Sequence, residues 1–95
     1  MEKVKSISEL NKGLCSFIKQ RYFSPFKIDG KKTSLNQYAN ACNLAPSTIS
    51  KINSVKGYNI PVSTIYTITE FEETSLEVFF KDFFANFIPE LASKK

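Results

Sequence analysis

An all-α fold of five helices is what this 95-residue sequence predicts, on three observations. Apolar residues recur at three- and four-residue intervals along most of the chain, the spacing that lines one face of a helix. Pro and Gly gather in a few places and divide those periodic stretches into pieces of helical length. Residues suited to helix starts stand at the divisions: Ser34 has Gln37 three positions on, and Pro46 opens a later stretch. At this length the chain is expected to be one domain, residues 1–95, with room for a single core and little or no sheet.

The first helix is expected from Ile7 to about Phe23, where Ile7, Leu10, Leu14, Phe17, Ile18 and Tyr22 make one stripe and Ser6 or Ser8 is available as N-cap. Gly13 weakens it slightly. The segment SPFKIDGKKTS, Ser24–Ser34, ends it, because Pro25 cannot continue a helix and Asp29-Gly30 is a turn dipeptide. Phe26, Ile28 and Thr33 allow at most a very small hairpin there. Ser34 caps a second helix over about Leu35–Cys42, and a third covers about Pro46–Asn53, with proline in its first turn, where the missing N–H costs nothing. SVKGYNIP is a loop. Val62, Ile65, Ile68 and Phe71 give a fourth helix, although β-branched residues lower its propensity. After EETS, a last helix over about residues 76–88 carries Phe79, Phe80, Phe83, Phe84 and Phe87, more aromatic surface than one buried face requires.

Composition narrows the function. Hydrophobic residues are 42% of the chain and nine are Phe, enough for a packed interior. With no His, Cys/His zinc sites and His-dependent triads are excluded. There is no Gly-rich phosphate loop and no carboxylate pair near a plausible pocket, so neither an enzyme nor a bound cofactor or metal is expected. Cys15 and Cys42 fall on apolar helical positions and are expected as buried, reduced thiols. The opening MEKVKSISEL has no continuous apolar segment, and no stretch approaches the roughly 20 apolar residues of a bilayer span. A soluble cytoplasmic protein without a membrane partner is the expectation. The net charge of +4 is unevenly divided: residues 1–60 hold ten Lys/Arg against three acids, residues 61–95 three against six. A basic front suits a polyanion, and a solvated lysine-rich surface is the plain alternative.

The stretch QYANACNLAPSTISKINS, Gln37–Ser54, breaks a helix for a few residues and resumes it at once. A helix-turn-helix makes demands at each position, and this stretch meets them except that Asn stands in the turn where Gly is usual. Ala39 is small where the second helix must cross, and Asn43 tolerates positive φ in the turn. Tyr38, Cys42, Leu44, Ile49 and Ile52 are apolar at the inward positions, and the outward ones are polar or small. YANACNLAPSTISKI resembles the core motif of the lambda-repressor-like (Cro-type) helix-turn-helix regulators, and IPVSTIYTITEFEETSLEVFF is similar to that family's fourth and fifth helices. The resemblance covers roughly Leu10–Phe80, is specific in the central motif, and implies a five-helix DNA-binding domain with its helix-turn-helix at about residues 35–54. Two departures stand out: Leu35 replaces a frequent phosphate-contacting Gln, and both loops around the motif are longer and basic.

By position, the resemblance places Ala45, Pro46, Ser47, Ser50 and Lys51 on the face that reads bases, with Ser47 also a candidate N-cap. Lysine donates to guanine, serine donates or accepts, and Ala or Pro meets a thymine methyl. Without Arg, Gln or Asn on that front, direct readout is expected to be modest, with shape and phosphate contacts contributing heavily. Lys31, Lys32, Ser34, Ser54 and Lys56 are the phosphate candidates. Either Phe79, Phe83 and Phe87 or Phe80, Phe84 and Phe87 can seal the core, leaving apolar surface elsewhere. The family commonly dimerises in this region, so Phe80, Phe83, Phe84 and Phe87 are the candidate dimer contacts. The implied function is a dimeric, sequence-specific regulator of duplex DNA, a repressor of phage or mobile-element type. The alternatives are an antitoxin that controls its own operon and binds a toxin, or a protein adapter on the same fold without DNA binding.

Overall fold

The periodic stretches fold as α1 (Ile7–Tyr22), α2 (Leu35–Cys42), α3 (Pro46–Asn53), α4 (Val62–Phe71) and α5 (Leu76–Phe87). The computed structural model describes residues 7–87, and side chains through residue 86. Of the two caps expected for α1, Ser8 lies inside the helix and Ser6 outside the described residues. The chain divides into two compact units, Met1–Ile60 and Pro61–Lys95.

In the first unit, α1 and α2 both pack on α3. Leu14, Cys15, Ile18, Tyr38, Ala39, Cys42, Ile49 and Ile52 are buried, so the apolar stripe of each helix supplies the interior. Ala39 and Tyr38 are fully enclosed, and Cys15 and Cys42 are buried thiols outside any disulfide, as expected. Burial pushes the Cys15 thiol above its ordinary range, outweighing the opposing backbone contacts at Tyr58 and Gly57.

One element departs from the all-α expectation, at the place where the sequence allows a very small hairpin. Lys27–Ile28 (β1) and Lys31–Lys32 (β2) pair antiparallel, Lys27 opposite Lys32 and Ile28 opposite Lys31. Asp29 (φ 53°) and Gly30 (φ 80°) take the two positive-φ positions of a two-residue hairpin turn, whose twist suits the flanking strands. A hairpin this short is marginal alone. Aromatic packing holds it: Phe26 lies 4.9 Å from Phe23 and 5.3 Å from Tyr38 on α2, ring centre to ring centre.

The hairpin runs directly into α2. Ser34 accepts a hydrogen bond from the Gln37 amide (3.1 Å) while the Gln37 side chain reaches back to Ser34, so the capping box forms. At the other end Asn43 is left-handed (φ 63°, ψ 40°), the Asn43 amide donates to Asn40 (3.0 Å), and the Leu44 amide donates to Ala39 (2.8 Å). These bonds close the helix and turn the chain within three residues. Ala45, extended, then precedes Pro46 at the first turn of α3.

In the second unit, α4 and α5 pack on each other. Thr64, Ile65, Ile68, Thr69, Phe79 and Phe83 are buried, and the Thr69 hydroxyl is satisfied by the Tyr66 carbonyl at 2.9 Å. Left-handed Glu73 ends α4, and the Ser75 hydroxyl caps α5 by accepting from the Val78 amide (3.1 Å). Among the described residues, no helix is long and apolar enough to cross a membrane.

Candidate nucleic-acid interface

Helix α3 is apolar on one side and small or polar on the other. Ile49 and Ile52 are fully enclosed, whereas Ala45, Pro46, Ser47, Ser50 and Lys51 are all exposed. All five candidate base-reading residues therefore share the free side of α3 and its start. Ala45, not Ser47, occupies the cap position, and it makes no side-chain cap bond. The expected capping role of Ser47 is thus corrected: Pro46 sets φ for the first turn, so the entry to the helix needs no side-chain acceptor. This leaves the Ser47 N–H, which the first turn of a helix leaves without an intrahelical carbonyl, as one donor at the tip.

Lys51 is the single charge on α3. Its ammonium lies 5.5 Å from the centre of the Tyr58 ring, which belongs to the loop after the helix. That distance is within the range over which an aromatic face attracts a cation.

The phosphate candidates are all exposed, but they are not equivalent. The Ser34 hydroxyl accepts from the Gln37 amide and donates to the Gln37 Oε1 at 3.5 Å, and the Ser54 hydroxyl donates to the Lys51 carbonyl at 2.8 Å. Neither is a free donor; at the start of α2 the first amides, Leu35 and Asn36, are the groups open to an anion. Lys31 and Lys32 lie on β2 just before that helix start, and Lys56 lies in the loop beyond α3. No acidic residue stands between Asp29 and Glu70 in the sequence.

Sequence reasoning missed two residues here. Lys27 is exposed and sits directly across the hairpin from Lys32, a like-charge pair that costs stability unless an anion answers it. Its place depends on the strand register, which two-residue strands do not announce. Tyr58 falls in a loop of the sequence, and only the fold brings its ring to Lys51.

The aromatic candidates separate. Phe79 and Phe83 are buried, at 2% and 0% exposure, which corrects Phe83 from dimer contact to interior residue. Phe84 is 42% exposed and Phe80 half-buried, their ring centres 6.3 Å apart one helical turn from each other. Phe87 falls outside the described side chains. Val62, Tyr66 and Val78 add further exposed apolar surface in this unit.

Comparison with protein-family models, with curated proteins and with solved structures finds no match to this chain.

Proposed function

We propose that the chain is a sequence-specific duplex-DNA binder of the helix-turn-helix type, acting as a dimeric transcriptional repressor. The observation that carries this reading is the two-sided character of α3. Its isoleucines are enclosed while Ala45, Pro46, Ser47, Ser50 and Lys51 are free, directly after a three-residue turn closed by left-handed Asn43. A short helix held in this way by its apolar side can lay its polar side in a major groove, its N-terminal residues foremost.

The division of labour follows from the side chains. Lys51 donates to guanine O6 or N7, Ser47 and Ser50 donate or accept, and Ala45 and Pro46 meet a thymine methyl. Lys27, Lys31, Lys32 and Lys56, with the open amides of α2, hold the backbone on either side. With one basic reader and several phosphate contacts, affinity rests mainly on charge and discrimination mainly on Lys51 and on DNA shape.

Selection of a preferred site from a random duplex pool, followed by binding at several salt concentrations, tests the proposal. Affinity for the selected site is expected to fall steeply with salt, and Lys51→Ala to lose the preference while keeping general duplex affinity. Absence of duplex binding at moderate salt would refute it and favour a protein adapter.

Exposed Phe84 favours a second reading of the partner alone. In an antitoxin this surface would meet a toxin rather than a second copy. Dimers formed by the purified chain support the first reading, and a chain monomeric at high concentration supports the second.

A further inference from the structure

A lysine alone is an indifferent base reader. Its ammonium is a point charge on a four-carbon stem that carries about 2 kcal/mol of rotamer entropy, and it lacks the planar fork of arginine. On α3 it is nevertheless the only charged group. What surrounds it is unusual. The Tyr58 ring lies 5.5 Å from the Lys51 ammonium, and the loop that presents this ring is held in a specified course.

Three features specify it. Val55 has φ 53°, a left-handed conformation that a β-branched residue takes only under constraint. Gly57 has φ 103°, and a Cβ there would come within 3.3 Å of Lys12 Cγ on α1, so the backbone runs close along that helix. The buried Cys15 thiol, also on α1, donates to the Tyr58 carbonyl at 3.6 Å. The backbone of Tyr58 is thus tied to α1 while its ring meets the lysine of α3.

We propose that Tyr58 is a positioning residue for Lys51. Its ring, anchored through Gly57 and the Cys15–Tyr58 bond, restricts the lysine and sets the ammonium in place before DNA arrives. The consequence is selectivity more than general affinity. A base edge must be met from one direction, whereas a phosphate accepts a cation from many, so restricting the stem helps the first and is nearly neutral for the second. This inference rests on the DNA-binding reading above and adds a specificity determinant outside α3.

The test compares the wild type with Tyr58→Phe, Tyr58→Leu and Lys51→Ala on the selected duplex and on a scrambled duplex of equal composition, at one salt concentration. Tyr58→Phe keeps the ring and is expected within twofold of wild type on both. Tyr58→Leu is expected to lose about two- to fivefold on the selected duplex, the size of an exposed cation–π contact, and to be unchanged on the scrambled one. Adding Tyr58→Leu to Lys51→Ala is expected to change nothing further. An independent reading comes from the DNA-free wild type, in which the ring current of Tyr58 should move the Lys51 ε-methylene protons upfield in the NMR spectrum. Absence of that shift overturns the proposal whether or not Tyr58→Leu folds. So does a Tyr58→Leu loss that is equal on both duplexes, or no loss where Lys51→Ala has one. If wild type and Lys51→Ala fail alike to distinguish the two duplexes, the DNA-binding reading itself fails and takes this one with it.

Discussion

Cys15 shows how one buried side chain links stability to the loop beside α3. It is fully enclosed on α1, its thiol donates to the Tyr58 carbonyl, and burial holds its proton more firmly than the unfolded chain does. The sign of the linkage follows. Well below the ordinary value of 9.0, both folded and unfolded thiols are protonated and the contribution is constant. As pH rises past that value the unfolded chain loses its proton first, so stability falls until the folded thiol ionises too. Denaturant midpoints across an alkaline pH series are therefore expected to decline in the wild type, and Cys15→Ala to flatten part of that decline. An equal slope in both would show that the thiol is not the group responsible. The same scale explains why Ser34 and Ser54 are weaker phosphate ligands than their exposure suggests, since each hydroxyl already serves a helix end.

Single elements show what was legible in the sequence and what was not. The helices were legible because each carries its own signal: a stripe at helical spacing, the Ser34–Gln37 box, proline at the start of α3, and Asn43 where the chain must turn left-handed. The exposed side of α3 followed from that spacing, since fixing Ile49 and Ile52 inward sets Ser47, Ser50 and Lys51 outward. The hairpin was harder, because strands of two residues have no periodicity and are held by rings from α2 and from Phe23 just after α1. Lys27 went unnoticed for this reason. The loop after α3 was illegible, since its course depends on Cys15, 43 residues away from Tyr58 in sequence. Spacing also could not choose between alternative phenylalanine stripes on α5, and packing chose Phe79 and Phe83. The hairpin makes its own prediction. Replacing Lys27, Lys31 and Lys32 with Ser should lower the salt slope of binding by about 0.9 for each lysine that meets a phosphate, equally on selected and scrambled duplexes. Because it also relieves the Lys27–Lys32 repulsion, it should leave the melting temperature unchanged or slightly raised. An unchanged slope would remove the hairpin from the interface.

At the scale of the whole molecule, charge is unevenly divided along the chain. Residues 1–60 carry a net +7 and residues 61–95 a net −3, and among the described residues the exposed large apolar side chains Val62, Tyr66, Val78 and Phe84 lie in the acidic part, with Ile7 alone in the basic part. In the proposed repressor the first part meets DNA and the second meets another copy, so that two recognition helices read a two-fold site. Phe84→Lys should then shift the sedimentation of the purified chain from dimer toward monomer with little change in folding stability. Phe83→Ala should instead cost about 3–5 kcal/mol of stability, as truncation of an enclosed ring does. Unaltered sedimentation of Phe84→Lys would point the apolar surface at a different protein. The claim on which all of this depends is that the free side of α3 enters DNA. Amide chemical-shift mapping of the chain on addition of its selected duplex tests it most directly. The largest changes are expected at Ser47, Ser50 and Lys51, with smaller ones at Leu35, Asn36 and the hairpin lysines. Changes confined to other residues, with α3 unmoved at saturating duplex, would contradict it.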